Sequence, residues 1–462
     1  MAGNNTPGVI PISSVINVSV QFASSGIPGY NVNNIGLFTT DAFLSNPNTD
    51  FWRPYVTAAA VGNDFGFSSE TYQQAVNVFA QQPSILNGGG QLIIIPIQTG
   101  AITGLNATPT AGGTNYKVGD VLSINQTGGY GGFATVTATA GGIVTSLSLA
   151  TPGILYTTGT GIAVTGGYGT GCTVAITSVG TETLLNAYNR GNNYLYFNGI
   201  IATNYGANST WVALAAAVQA NQNQILFLPT INTLDIYGTF ITIQLASDIN
   251  TRMLYYGSTG LNARLYAAAY ASKALSTNWS GSNTTQTMNL QQLVNVVPDT
   301  TLTSVILAGL AACGADCYAN YGGSYPGVVS VGANKYTDEV TNLVWLVTSL
   351  QVAGFNALAT VGTKIAQTEA GMSLLKSYYR AVLKQAVSNG YLAPGSWTSA
   401  DTFGNPTKFL ANITGTGFYI YSAPVSQQST TARAARQAPL VQIAGKEAGA
   451  IQSGSILVTI NQ

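Results

Sequence analysis

Residues 91–97 read QLIIIPI, an apolar run of strand length with no alternating polar residues. Such a run is typical of a strand covered on both faces, as the strands of parallel sheets are. A second apolar run, IGLFT at 35–39, precedes it, and residues 69–81 between the two have a helical pattern opened by Ser69 as an N-cap. Strand, helix and strand in this order predict a parallel pair joined by a crossover helix.

The same alternation continues along the chain after residue 190. Strands are predicted at 194–202, 224–228 and 252–256, and helices at 210–219 and 263–275. A repeated strand–helix order of this kind predicts an α/β layer built on a mixed, partly parallel sheet.

Residues 101–180 interrupt the alternation. The stretch is rich in glycine, and no charged residue occurs between Val121 and Thr181. It contains an internal repeat, because residues 116–138 match residues 156–176 in their tyrosine and glycine positions. A duplicated unit of short strands and glycine turns predicts a small all-β module inserted into the α/β domain.

The last third of the chain has longer helical patterns. Helices are predicted at 301–312, 338–350 and 364–389, and strands at 326–331 and 417–424. The predicted fold class is therefore multidomain, α/β and α+β, with a mixed-sheet core. The predicted organisation is a strand arm at 1–24, the α/β domain at 25–100 and 181–300, the all-β module at 101–180, an α+β domain at 301–440 and a second strand arm at 441–462.

Both ends of the chain have the pattern of isolated strands. In the first arm Ile16, Val18, Val20 and Phe22 alternate with polar residues, and in the second Ile456, Val458 and Ile460 lie on one face. Two interpretations stay open. Each strand pairs with the core of its own chain, or each adds to the sheet edge of a neighbouring subunit, because the backbone groups of a lone strand need partners.

The composition excludes several classes of function. Only 6% of the 462 residues are charged, against roughly 25% in typical soluble domains. The 15 basic residues equal the 15 acidic ones and are scattered, so we expect no nucleic-acid partner. No run of 18 apolar residues occurs, so we expect no membrane insertion. A neutral surface with little charge favours extensive contact with neighbouring copies instead.

The sequence predicts neither an enzyme nor a cofactor site. Histidine is absent, which removes Ser-His-Asp and Cys-His catalysis and also predicts little pH response between about 5 and 8. The adjacent carboxylates Asp338 and Glu339 open a helix, where the dipole favours them. The three cysteines, Cys172, Cys313 and Cys317, cannot complete a zinc site without histidine, and their odd number gives no disulfide framework.

Metal and ligand sites are equally sparse. Glycine runs at 88–90 and 166–171 lead into strands rather than helix N-termini, which argues against nucleotide binding. Asp120 is the lone acid of its region, so we expect no calcium site there. Tyr130 and Tyr168 either stack on a carbohydrate or fill the core and contacts of the all-β module.

Four stretches together resemble the contractile tail sheath proteins of tailed phages. They are Ser13–Asp41, Asp64–Pro96, Lys364–Trp397 and Thr431–Ile460. The resemblance covers most of the chain outside residues 101–180, and it implies a structural subunit rather than an enzyme.

The resemblance further implies how the subunit works. Sheath subunits stack as six-membered rings around an inner tail tube, exchange terminal strands with their neighbours, and contract to drive the tube through the host envelope. The implied partners are other sheath subunits, the tail tube protein, and the baseplate and tail terminator proteins, and the implied location is the phage virion after assembly in the host cytoplasm. We also expect Arg433, Arg436 and Lys446 to meet acidic groups on a neighbour or on the tube.

Two alternative functions remain at this stage. One is a virion protein that binds the host surface, with the all-β module reading carbohydrate. The other is the sheath of a contractile injection particle that is not a phage.

Overall fold

The computed structural model describes residues 30–44, 51–203, 208–230, 248–331 and 335–458. Within these ranges the strands form an eight-stranded, a seven-stranded and a two-stranded sheet. Elements are numbered in chain order. The predicted arm residues Ile16, Val18, Val20, Phe22 and Ile460 lie outside the described residues.

The eight-stranded sheet has the order β15-β14-β13-β12-β11-β1-β3-β2. Its six inner strands are parallel, and the two edge strands β2 and β15 are antiparallel to their neighbours. The strands are β1 (Ile35–Thr39), β2 (Arg53–Tyr55), β3 (Leu92–Pro96), β11 (Gly199–Ala202), β12 (Ile225–Thr230), β13 (Thr251–Tyr255), β14 (Asp316–Tyr321) and β15 (Tyr325–Val329).

Helices cover both faces of this sheet. One face packs against α1 (Ala58–Phe65), α2 (Glu70–Ala80) and α5 (Gly260–Ala274), and the other against α3 (Leu184–Asn192), α4 (Asn208–Asn221) and α6 (Ser304–Cys313). Strand β3 illustrates the arrangement, since Ile94 belongs to the first core while Ile93 and Ile95 belong to the second. The apolar run at 91–97 is therefore buried on both sides, as the sequence predicts. We call residues 30–98 and 182–331 the sheet unit.

The seven-stranded sheet is antiparallel and has a core of its own, which we call the β module. It consists of β4 (Thr99–Leu105), β5 (Ala111–Thr114), β6 (Val121–Asn125), β7 (Tyr130–Ala140), β8 (Ile143–Ile154), β9 (Gly159–Thr165) and β10 (Thr170–Thr181). Along the chain it lies between β3 and β11, two strands of the large sheet.

The internal repeat of the β module has a structural meaning. The ring of Tyr116 in the first copy contacts Gly169 of the second, while the ring of Tyr156 in the second copy contacts Gly129 and Gly132 of the first. A Cβ at Gly169 would lie 2.4 Å from the Tyr116 ring, so only glycine fits there. A tyrosine of each copy thus packs on glycines of the other copy, which joins the two copies, although Gly129 and Gly132 are not the repeat counterparts of Gly169.

The C-terminal unit comprises residues 335–458. Helices α7 (Thr337–Thr360) and α8 (Glu369–Ser388) pack against each other, and α9 (Pro406–Thr416), α10 (Thr430–Ala434) and the two-stranded sheet of β16 (Phe418–Ser422) and β17 (Val441–Gly445) complete it. Three small clusters of buried side chains replace a single large core.

The structure differs from the predicted boundaries at two places. The sequence boundary at 300/301 assigns α6, β14 and β15 to the C-terminal domain, but both strands belong to the eight-stranded sheet and α6 covers one of its faces. The predicted C-terminal arm at 441–462 likewise begins with β17, which pairs with β16 of the same chain.

Some predicted helix ends also move. The helix predicted at 364–389 begins only at Glu369, because the Thr368 side chain caps it by accepting a hydrogen bond from the Gly371 backbone. The helix predicted at 338–350 continues to Thr360.

Candidate assembly surface

The hairpin of β16 and β17 presents two open edges. The strands pair antiparallel from Phe418 with Gly445 to Ser422 with Val441, and no other strand of the described part of the chain pairs with either. Two strands with open edges are marginal by themselves and offer unpaired backbone groups to a further strand. The hairpin is therefore suited to strand addition.

Contacts from the rest of the C-terminal unit hold this hairpin in place. The Lys376 ammonium donates a hydrogen bond to the Ser422 hydroxyl at 3.1 Å. Just beyond β16, a carboxylate oxygen of Glu369 accepts a hydrogen bond from the Val425 backbone at 2.6 Å. At the other end the Lys446 backbone donates to the carbonyl of Gly417, which ends α9 in the left-handed conformation. Both strands are thus fixed to α8 and α9 at their ends.

An open apolar groove of about 750 Å³ runs beside the hairpin. One wall is a row of side chains on α7, and the opposite wall includes the β17 side chain Ile443 and the ring of Trp397. The α7 row comprises Leu343, Leu346, Val347 and Leu350. An incoming strand that pairs with the hairpin edge could bury apolar side chains in this groove.

Helix α7 is unusually apolar for a helix with so much exposed surface. By length and composition alone it could cross a membrane, with a mean hydropathy of 1.4 over its most apolar 18 residues, of which 28% are buried. The helix packs against α8, where Trp345 is buried, and against the sheet unit, where Val344 is buried, while Phe355 and Leu358 stay exposed on the surface. An exposed apolar helix face in a protein otherwise built as a packed unit marks an interaction surface.

The C-terminal segment 451–458 supplies exposed apolar residues without a partner in the described chain. Ile456 and Val458, two predicted arm residues, are 91% and 72% exposed and have no regular secondary structure. The base of the segment is anchored, because the Ala448 backbone donates to the Tyr391 carbonyl and the Gln452 amide donates to the Thr287 hydroxyl.

Charge is unevenly divided between the two ends of the chain. Residues 335–462 carry nine Lys and Arg and five Asp and Glu, whereas residues 1–334 carry six and ten. In the described part of the sheet unit, the acids Asp64, Glu70 and Glu182 form ion pairs with arginines at 2.6–2.8 Å. The excess positive charge of the C-terminal unit is therefore largely left for other partners.

The three basic residues predicted as contact residues belong to this excess. Arg433 and Arg436 are exposed at α10 and just after it, and neither forms an ion pair with a described residue. Lys446 is half-buried beside the groove, and its ammonium donates a hydrogen bond to the Glu447 carbonyl at 2.8 Å.

The carboxylates Asp338 and Glu339 lie in the first turn of α7, as predicted, and Glu339 also caps the helix. Glu339 accepts a hydrogen bond from the Tyr336 backbone at 3.1 Å. Asp338 shares a small pocket with Glu339 and Glu447. Burial, reinforced by these two neighbouring carboxylates, raises the pKa of Asp338 to about 6. Asp338 therefore titrates between about pH 5 and 8, the range in which the absence of histidine predicts little response to pH.

The remaining candidate residues, Asp120 and the three cysteines, lie in hydrogen-bonded or buried positions. Asp120 accepts hydrogen bonds from the backbones of Lys117 and Tyr168. Cys172 and Cys317 are buried and Cys313 is half-buried, all with free thiols. Among the described residues no group of three His, Cys, Asp or Glu side chains could hold a metal ion.

Sequence reasoning misses strand β17 and hence the hairpin. The signal is present in residues 441–443, where Val441 and Ile443 alternate with Gln442. The alternation is short and follows a basic, alanine-rich segment, so the sequence pattern assigns the stretch to the arm instead.

Comparison with known proteins gives a family match for the C-terminal unit. Residues 337–460 match the family model described as E217 tail sheath protein gp31-like, C-terminal domain. No curated protein sequence matches the chain.

Three solved structures share the fold over nearly the whole length. The chain in the baseplate of the anti-feeding prophage has a TM-score of 0.52 and 11% identity, with full coverage of both chains. The chain in the contracted helical sheath of the same particle has a TM-score of 0.52 and 10% identity, also with full coverage. The PVC sheath complex of an extracellular contractile injection system, in the contracted state, has a TM-score of 0.52 and 10% identity, with 99% of this chain and 98% of that chain covered.

The matched C-terminal model covers the hairpin, the groove and the exposed C-terminal segment, and it describes a structural sheath protein. The solved structures match the fold with its several sheets. The resemblance predicted from the sequence is thereby confirmed: residues 337–460 match a tail sheath family model, and the chain shares its fold with the three solved structures.

Proposed function

We propose that this protein is the repeated subunit of a contractile sheath, polymerising as stacked hexameric rings around an inner tube and contracting to drive the tube through a host cell envelope. The observation that carries the proposal is the open hairpin of β16 and β17 beside an apolar groove, on a chain whose C-terminal segment is apolar and exposed.

Strand addition would join the subunits. Backbone N–H and C=O groups on the hairpin edges need partners, and an arm of a neighbouring subunit provides them. In the C-terminal arm, Ile456 and Val458 point to one side of an extended strand and are suited to the groove. The N-terminal residues Ile16, Val18, Val20 and Phe22 have the same alternation, so we propose the same role for them.

Such a joint is compatible with large movements of the subunit bodies. A docked strand holds its acceptor through backbone hydrogen bonds, while the chain between strand and body is free to reorient. We propose that the arms keep neighbours connected as rings rotate and compress.

The positive charge of the C-terminal unit would select the partner surface. We propose that Arg433, Arg436 and Lys446 meet acidic groups on a neighbouring subunit or on the tube, because opposite potentials steer association and suppress wrong partners. The further proposed partners are the baseplate and tail terminator proteins, and we propose no catalytic or cofactor role.

The particle that contains the sheath has two candidate identities. We propose a phage virion whose tail assembles in the host cytoplasm, in line with the tail sheath family model. The alternative is a contractile injection particle that is not a phage, favoured by the fold matches to the anti-feeding prophage and PVC particles.

Electron microscopy of the purified full-length chain tests the proposal. We expect striated, hollow helical tubes once the concentration permits polymerisation. A protein that stays monomeric or forms only amorphous aggregates under all assembly conditions would contradict a sheath.

A further inference from the structure

A cleft of about 250 Å³ separates the β module from the sheet unit. One wall is the β7–β8 hairpin of the module, with Tyr130, Phe133 and Pro152. The other wall is helix α3 and the residues that follow it. Neither the β16–β17 hairpin nor the exposed C-terminal segment lines this cleft.

The α3 wall is a row of amides. Asn186, Asn189 and Asn193 line the cleft with spacings of three and four residues, which places them on one side of the helix. None of these side chains makes a hydrogen bond to another described residue, although each amide can donate two and accept two. The wall therefore offers several free donors and acceptors side by side.

The amides are costly for the helix that carries them. Asparagine is a poor helix former, because its side chain competes for backbone hydrogen bonds. Helix α3 nevertheless carries two of these asparagines, Asn186 and Asn189, within its nine residues, Asn193 follows as its C-cap, and the N-cap is supplied separately by Thr183. Alanine at the exposed helical position 189 would favour the helix, so folding alone does not explain the amide at that position.

The charges at the cleft cancel. The Arg190 guanidinium binds the Glu182 carboxylate through two nitrogens at 2.8 and 2.9 Å, and its other hydrogen bonds go to the carbonyls of Phe51 and Pro96. No cationic group among the described lining residues is left to bind a phosphate or a carboxylate. The chemistry of the cleft suits an uncharged ligand with many hydroxyl groups.

Aromatic side chains complete the site on its solvent side. Tyr130 and Tyr194 line the cleft, stay 40% and 66% exposed, and bring their hydroxyls within 3.2 Å of each other. Tyr130 is further held by stacking on Phe51, with ring centroids 5.2 Å apart. Tyr168, for which carbohydrate stacking and packing are the two alternatives from the sequence, lies outside the cleft, and the Lys117 ammonium lies 3.9 Å from its ring centre.

We propose that this cleft binds one sugar ring of a neutral glycan, with the amides of Asn186, Asn189 and Asn193 bonding its hydroxyls and Tyr130 and Tyr194 contacting its apolar face. Amides and exposed tyrosines are the polar and aromatic groups that fix a small ligand in orientation. The cleft is smaller than the pockets that hold drug-sized ligands, which limits the ligand to a single ring.

Binding to the full-length chain tests the proposal. Neutral monosaccharides (glucose, galactose, mannose and their N-acetylated amines) are titrated by calorimetry, and an array carrying neutral and sialylated glycans is probed in parallel. We expect at least one neutral sugar to bind. The double variant Asn189→Ala, Asn193→Ala should raise the Kd for that sugar at least tenfold.

Two further variants separate binding from folding. Tyr194→Ala removes an exposed ring that contacts the sugar and should also weaken binding, while Tyr168→Ala, at a similarly exposed tyrosine outside the cleft, should leave it unchanged. Circular dichroism verifies that each variant is folded. The proposal is overturned if no neutral sugar binds, if only charged glycans bind, or if the asparagine variant binds as tightly as the parent.

Discussion

Trp279 and Trp345 stack face to face, with ring centroids 4.8 Å apart and ring planes inclined by only 6°. Trp279 follows α5 in the sheet unit, whereas Trp345 lies in α7 of the C-terminal unit. Nearby, the Gln385 amide of α8 donates to the carbonyls of Trp279 and Gly281. These contacts join the two units.

Removing one ring of this stack should weaken the packing between the two units and destabilise the protein. We expect Trp279→Ala to lower the free energy of unfolding by about 1–3 kcal/mol, less than for a fully buried tryptophan because Trp279 is only half-buried. Urea unfolding followed by far-UV circular dichroism measures the change. Trp52→Ala, at a residue 42% exposed, is the control and should stay within about 0.5 kcal/mol of the parent. Equal midpoints for both variants would mean that the stack does not hold the units together.

Asp338 should give the protein a pH response that its lack of histidine would not suggest. Burial raises the pKa of this carboxyl from 3.8 to about 6, so between these values the folded state binds a proton more tightly than the unfolded state. Stability from this group is therefore present at low pH and is lost as the pH rises from about 4 through about 6, by about 3 kcal/mol in total.

Urea unfolding at pH 4 to 7 measures this contribution as a difference between variants. Asp338→Asn cannot ionise and should not lose stability in this pH range. The free energy of unfolding of the variant, relative to that of the parent, should therefore increase as the pH rises. Asp401→Asn, an exposed acid of the same unit, should follow the parent at every pH. Parallel curves for Asp338→Asn and the parent would show that Asp338 titrates as an ordinary exposed carboxyl.

The basic residues around α10 should affect assembly rather than folding. We expect Arg433→Glu and Arg436→Glu each to slow polymerisation and raise the concentration at which tubes form, because both side chains are exposed and carry no ion pair within the described chain. Light scattering at two salt concentrations measures the effect, and the parent should lose rate as salt increases. Lys408→Glu makes the same charge change on α9 and serves as control. Polymerisation of all three variants at the rate of the parent would refute a role for these arginines.

The elements that the sequence predicts well are those with an unambiguous pattern. Leu92–Pro96 is buried on both faces, and a continuous apolar run of strand length is typical of such a strand. Ser69 caps α2 as predicted, because a side-chain cap is a local interaction.

The elements that the sequence misses depend on distant contacts. Strand β14 begins with Asp316, a fully buried acid that accepts hydrogen bonds from the Tyr270 hydroxyl and the Val331 backbone. A charged residue at the first position makes an inner strand hard to recognise from sequence, because the residues that form hydrogen bonds with the buried carboxylate lie far away in sequence. Helix α3 is hidden for a related reason, because its asparagines have low helix propensity and packing of Leu184, Ala187 and Tyr188 on the sheet stabilises it.

The assembly surface is predictable only in part. The alternation at the chain ends predicts strands, and the described end, residues 451–458, indeed has no strand partner in the described part of its own chain. The acceptor is not readable from sequence, because an open hairpin edge and a groove arise from the arrangement of α7, β17 and the loop around Trp397.

Deletion of Gly454–Gln462 tests strand addition most directly, since the described part of this segment is exposed and its loss should not affect the fold. Electron microscopy of the deleted chain beside the full-length chain, with circular dichroism to verify folding, gives the result. We predict folded subunits that form no tubes, and the same outcome for deletion of Met1–Ser24. Normal striated tubes from either deleted chain would contradict a sheath held together by exchanged strands.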